Sequence, residues 1–184
     1  MAVRRIVKYG EKLLKTKTKK IDYSIMKKSL PLILKDLYDT LSAVNGIGLS
    51  ANQIGFDMQL AIINYYDKDK KRNYNFVIIN PQIVWQQGEV IEDEGCLSFP
   101  GLFLKIKRSE KVHVEALNEK GLPVVIKADG LLARALQHEI DHLNGITIYD
   151  RLSFVSKLRL KPTLIRLKRQ WKKIDESKIN NMVM

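Results

Sequence analysis

His138-Glu139-Ile140-Asp141-His142 contains all but one of the chain's three histidines, and its spacing could hold a metal. Two imidazoles four residues apart on a helix project from one face, with Cβ atoms roughly 5–6 Å apart. Donor atoms around a tetrahedral ion lie about 3.4 Å apart, so side chains leaning together can close that gap. Glu139 follows about a quarter-turn on around the helix, where it flanks an ion without being aimed at it. A carboxylate so placed is a candidate base for hydrolysis. The competing explanation is a solvated helix carrying two surface histidines. Leu132, Leu136, Ile140 and Leu143 form one stripe, however, and Ala135, His138 and His142 widen it. Only Arg134, Gln137 and Asp141 ask for water. A helix apolar over most of its circumference is expected to be buried, and buried imidazoles need partners.

Two ligands leave such a site incomplete. The extended histidine motif of one protease group would place a third His three residues beyond Gly145, but position 148 is Ile. Another protease pattern takes a Glu from a later helix, and the late acids Asp150, Asp175 and Glu176 suit it poorly. Cys96 is the better candidate. It is the only cysteine, so no internal disulfide is possible. The stretch Glu94-Gly95-Cys96-Leu97-Ser98-Phe99-Pro100-Gly101 reads as a shaped loop rather than a core strand. The plainer reading of a lone Cys is a small buried hydrophobe.

Gly46-Ile47-Gly48-Leu49-Ser50-Ala51-Asn52-Gln53, then Glu94-Gly95-Cys96-Leu97-Ser98, then Gln137-His138-Glu139-Ile140-Asp141-His142 resemble, in that order, the three signature motifs of the peptide deformylase family. The similarity runs from about residue 6 to residue 152. The first motif departs at Ser50, where the family usually has Ala, and carries Asn52 at a position that varies. The resemblance implies removal of the formyl group from the N-terminal formyl-methionine of new bacterial polypeptides. It implies a metal held by Cys96, His138 and His142, with a fourth position left to a water that attacks the formyl carbon. Glu139 would then act as general base and later as acid. Gln53, through its amide, and Leu97, through its backbone N–H, would stabilise the oxyanion. Glu94 and Arg108 match positions that form a supporting ion pair. Gly46, Ile47 and Gly48, with Glu94 and Gly95, are the expected substrate-binding positions, since glycines permit close backbone approach and an extended peptide can add there as a strand. A helix stop and turn explains Asn45-Gly46 equally well. The family commonly works with ferrous iron (Fe2+), while two imidazoles and a thiolate also suit Zn2+, Co2+ or Ni2+.

At 184 residues and 45 % hydrophobic content, one domain with a real core is expected. Its core would span about 6–152, with 153–184 a basic amphipathic helix and tail. No apolar run reaches the roughly 20 residues a membrane span needs, and Met1-Ala2-Val3-Arg4-Arg5 lacks the apolar core of a secretory signal. A thiolate ligand fits a reducing compartment. The expectation is a bacterial cytoplasmic protein with no membrane partner. A helix is expected over 24–44, carrying Ile25, Leu30, Ile33, Leu37 and Leu41, with Pro31 marking a kink or a late start. Strand-like runs lie at 59–64, 76–80, 83–86, 103–106, 111–117 and 124–127, and 65–74 reads as an exposed hairpin loop. The metal helix should start at Asp129 as N-cap and stop at Asn144-Gly145. The fold class is therefore α+β, with mixed or antiparallel strands wrapped around a central metal-binding helix. Alternation puts His113 on the solvent side of its strand, and no function is assigned to it.

The net charge is +12, and much of it lies near the end of the chain. Arg151, Lys157, Arg159, Lys161, Arg166, Lys168, Arg169, Lys172 and Lys173 run without an intervening acid until Asp175. Leu160, Leu164, Leu167, Trp171 and Ile174 recur at helical spacing. Packing against the domain would explain the apolar stripe. Docking on ribosomal RNA, where the formyl-methionyl nascent peptide emerges, would explain the cations. Two other classes stay open: a zinc-type metallopeptidase cleaving peptide bonds, and a basic RNA-binding protein whose metal only staples the fold.

Overall fold

The computed structural model describes residues 3–180, with side chains of the last helix through Ile174. Met1 and Ala2, the Asp175 and Glu176 side chains and the end of the polar tail lie outside the described part. The chain begins extended and makes one 3-10 turn at Lys12–Lys15. Two helices, α1 (Tyr23–Met26) and α2 (Leu30–Ala43), replace the single helix expected over 24–44. Asp22 caps α1 by accepting from the Ser24 N–H. Pro31 sits in the first turn of α2, where its missing N–H costs nothing. The late start is thus the correct alternative. Ile25, expected on the buried stripe, is 75 % exposed because α1 is one turn long, whereas Leu30, Ile33, Leu37 and Leu41 are buried.

Seven strands follow in chain order: β1 (Gly48–Ser50), β2 (Leu60–Asp67), β3 (Arg72–Gln87), β4 (Val90–Gly95), β5 (Phe103–Arg108), β6 (Lys111–Leu117) and β7 (Pro123–Asp129). Five make an antiparallel sheet in the order β1-β2-β3-β6-β7, and β4 and β5 pair separately. The runs expected at 76–80 and 83–86 are one bent strand. Asn80 takes a φ of +51°, and the register shifts around Pro81, which has no N–H to give the ladder. The stretch 65–74 is not a loop. Pairing continues from Leu60↔Ile79 to Asp67↔Arg72, and Tyr74 is buried with its ring 5.3 Å from that of Tyr65. Its Lys and Asp content hid a ladder with a tight turn. His113 is half-buried against Trp85, ring centroids 4.4 Å apart, rather than turned freely to solvent.

Helix α3 (Gly130–Leu143) packs Leu132, Leu136, Ile140 and Leu143 on Ala61, Ile63, Ile78, Val112 and Val114 of the large sheet. Each fully buried leucine contributes about 1.5–3 kcal/mol through its apolar surface. Asp129 precedes the helix as expected but does not cap it; its carboxylate pairs with Lys70. Arg134, Gln137 and Asp141, expected to face water, are buried too. Each has a partner: Gln137 exchanges two 2.9 Å hydrogen bonds with the Ser109 backbone, and the two charged residues enter an ion network. Helix α4 (Phe154–Asn180) lays Leu164 and Trp171 on Phe99, Ile106 and Ile148. Ile174, placed on the same stripe by spacing, is 49 % exposed. No described helix is long and apolar enough to cross a membrane.

Candidate metal centre

Three donor atoms converge where α3 meets the loop after β4. Cys96 Sγ lies 3.1 Å from His142 Nε2, which lies 3.1 Å from His138 Nε2. All three donors fall within 4.8 Å of one another. The two histidines come from one helix face, and the turn Cys96-Leu97-Ser98-Phe99, closed by the Phe99 N–H on the Cys96 carbonyl at 2.8 Å, brings the sulfur over them. One thiolate and two imidazoles at these separations suit a divalent ion with protein bonds of about 2.0–2.3 Å. The surrounding groups act on the two imidazoles in opposite directions. Desolvation opposes a charge on His138, yet Cys96 and Glu94 outweigh it and raise that pKa well above the ordinary value. Burial holds His142 well below its ordinary value, in the neutral form a metal ligand needs.

Behind His138 stands a buried ion network. Glu94 Oε1 accepts from His138 Nδ1 at 2.6 Å, fixing the ring and leaving Nε2 for an ion. Arg108 donates to both Glu94 oxygens, at 2.6 and 3.1 Å, and also to Asp141. Arg134 reaches Glu94 at 3.0 Å and Glu92 at 3.0 Å, while Arg151 closes the far side of Asp141. Desolvation alone would raise the Glu94 pKa, but His138 and Arg108 reverse the sign and hold it well below the carboxylate range. Sequence reasoning named Glu94 and Arg108 only by resemblance and missed Asp141, Arg134 and Arg151. The available signal was a pair of charges, Arg134 and Asp141, on a helix apolar over most of its circumference.

Glu139 is 3 % exposed, and its Oε2 meets no protein hydrogen-bond partner. Burial pushes its pKa up to about 7, so the carboxylate can take and return a proton near neutrality. Gly48 faces it: a Cβ there would lie 2.6 Å from Glu139 Oε1. Gln53 sits in a 3-10 turn at Ala51–Ile54, and its Oε1 accepts from the Ser50 N–H at 3.0 Å and the Ser50 hydroxyl at 2.9 Å. That leaves its NH2 directed at Ser98 Oγ, 3.2 Å, and Cys96 Sγ, 3.7 Å. A cleft of about 1020 Å³ opens onto the site and is lined by Gly46, Ile47, Gly48, Gln53, Glu94, Gly95, Cys96, Leu97, His138 and Glu139 among others. Gly48 begins edge strand β1 on one side, and Gly95 ends β4 on the other. The structure thus brings together the donors, the carboxylate, the amide and the two glycine edges.

A Cys–His–His donor set beside a buried carboxylate, at the floor of a cleft bounded by open strand edges, has the donor chemistry of a metal-dependent hydrolase. Comparison with known proteins gives the family. The polypeptide deformylase model matches residues 3–158, and the chain belongs to that family. A peptide deformylase of Elusimicrobium minutum is 47 % identical over 175 residues, covering 93 % of this chain and 99 % of the relative. The crystal structure of a peptide deformylase from Legionella pneumophila superposes with a TM-score of 0.81 at 37 % identity, covering 93 % of this chain and 98 % of that one. Peptide deformylase 1B of Arabidopsis thaliana, solved with an inhibitor, gives 0.82 at 32 % identity and 92 % coverage of each chain. The protein is accordingly a hydrolase that removes the formyl group from N-terminal formyl-methionine.

Proposed function

We propose that Cys96, His138 and His142 hold one divalent ion, ferrous iron in the cell, and that Glu139 moves the proton of the deformylation. The observation that carries this is the meeting of three soft and nitrogen donors within 4.8 Å beside a buried, half-unpartnered carboxylate. Bound there, the ion supplies Lewis acidity, making water nucleophilic at neutral pH and polarising the formyl oxygen. Glu139 accepts the proton as water attacks the formyl carbon and returns it to the leaving amine, so formate and a free N-terminus result. Gln53 Nε2 and the Leu97 backbone N–H donate to the oxygen that becomes negative. Each such donor is worth about 2.7–4 kcal/mol in the transition state. Glu94 fixes the His138 ring, and Arg108 keeps Glu94 charged. Gly46, Ile47, Gly48 and Gly95 offer backbone edges between which an extended formyl-methionyl peptide pairs as an added strand.

We read residues 1–184 as one deformylase domain, with a core over 6–152 followed by a basic amphipathic helix and tail, the helix meeting the ribosome. The outward cations of α4 support that last point, and a thiolate ligand supports a reducing, cytoplasmic setting. Formate release from formyl-Met-Ala-Ser with both peptide bonds intact tests the reaction. Glu139→Gln should bind metal normally and lose turnover by about 10²-fold or more. Cleavage of an internal bond, or an active Gln variant, sinks the assignment.

A further inference from the structure

The two histidines of the metal centre are held in different ways. His138 has its ring fixed at Nδ1 by Glu94, 2.6 Å away. His142 is 1 % exposed, and its Nδ1 meets no protein partner. With no hydrogen bond at Nδ1 to fix the ring, its aim rests on packing and on its main chain. That main chain lies one residue from the end of α3, where helical carbonyls lose their intrahelical partners and the backbone frays. The His142 carbonyl accepts from the Gly145 N–H at 3.0 Å and, more closely, from Asn52 Nδ2 at 2.6 Å. Asn52 is itself fully buried, ninety positions away in sequence, and adjoins Gln53 in the same 3-10 turn.

We infer that Asn52 is a positioning residue, whose side-chain amide locks the backbone of His142 and thereby couples the metal ligand to the turn that carries Gln53. This rests on the reading of Cys96, His138 and His142 as the metal ligands. The geometry makes one hydrogen bond serve two parts of the site. Without it the end of α3 can rotate the imidazole off the ion, and the turn bearing Gln53 loses its tie to the helix.

The test uses the full chain loaded with Co2+, whose visible bands and sulfur-to-cobalt absorption report the donor set directly. Asn52→Ala removes the donor. Asn52→Asp keeps the shape and sets a carboxylate against the carbonyl. Both variants should release Co2+ to a chelator about tenfold faster or more, as removal of an outer-shell partner does elsewhere. Their visible bands should shift, and kcat on formyl-Met-Ala-Ser should fall with little change in KM. A purely structural asparagine would lower the melting temperature and leave spectrum and release rate untouched. That outcome overturns the inference, as does failure of both variants to fold, which would make Asn52 a determinant of the fold at large. A wild-type protein without sulfur-to-cobalt absorption would refute the ligand set as well.

Discussion

Position 48 is occupied by the only residue that leaves Glu139 its place. A Cβ there would stand 2.6 Å from Glu139 Oε1 and 3.0 Å from Ile63 Cδ1, so the carboxylate would have to swing from its place toward the cleft. Gly48→Ala should therefore displace the proton carrier while sparing the donors. The expected result is a fall in kcat of about 10²-fold, with Co2+ absorption like that of the parent, read by kinetics and spectroscopy on one sample. Ser50 makes a milder case. Its hydroxyl is one of two donors to Gln53 Oε1, and its own backbone N–H is the other. Ser50→Ala should lower kcat only by about 2–10-fold, the worth of one ordinary hydrogen bond, because the backbone donor still orients the amide. A fall as large as that of Gln53→Leu would show that the hydroxyl, not the backbone, does the orienting. In sequence, Gly48 suggested backbone freedom and an added strand. Its need for side-chain room became visible only once the fold set Glu139 opposite.

The β4–β5 hairpin is fastened to α3 by charge rather than by apolar packing. Arg108 on β5 holds Glu94 on β4 and Asp141 on α3, and Arg134 on α3 returns to Glu94 and Glu92. Arg108→Met would leave two buried carboxylates short of their partner. Breaking such a network costs about 3–5 kcal/mol, measurable as a lower denaturation midpoint with an unchanged slope. Metal release should quicken too, because Glu94 would no longer be held against His138. An unchanged midpoint would mean that Arg134 and Arg151 suffice. These elements also mark what could be read in advance. Helix α3 was legible because an apolar stripe with a 3.6-residue period leaves little choice, and its two histidines and Glu139 came with it. Strand β1 is three residues of a glycine-rich turn, and β4 is Val-Ile-Glu-Asp-Glu-Gly, so neither shows the alternation that betrays a half-buried strand. The charges of β4 read as surface residues because their partners lie on other elements. Cys96, with no spacing to pair it, was placed as a ligand by resemblance and by elimination of rivals rather than by any local pattern.

At the scale of the molecule, α4 has two faces with different duties. One puts Trp171 edge-on to Phe99, ring centroids 6.3 Å apart, just behind the loop that carries Cys96. The other exposes Leu158 and Ile165 among Arg159, Arg166 and Arg169. Cutting the chain after Leu160 would remove the packed face together with Ile165, Arg166 and Arg169 of the outer one, so weakened ribosome binding would follow equally from a loosened domain. Reversing Arg159, Arg166 and Arg169 to Glu changes the outer face alone. If that face meets ribosomal RNA, the triple variant should hydrolyse formyl-Met-Ala-Ser at the parent rate and sediment far less with ribosomes. Its dependence on salt should weaken as well, the slope of log K against log salt falling by about one for each phosphate that is no longer neutralised. The truncated chain, by contrast, should melt earlier, since it exposes Phe99 and Ile106 that Trp171 and Leu164 now cover. Binding that survives the triple reversal at every salt concentration would assign α4 to packing alone and leave its cations as a solvated outer surface.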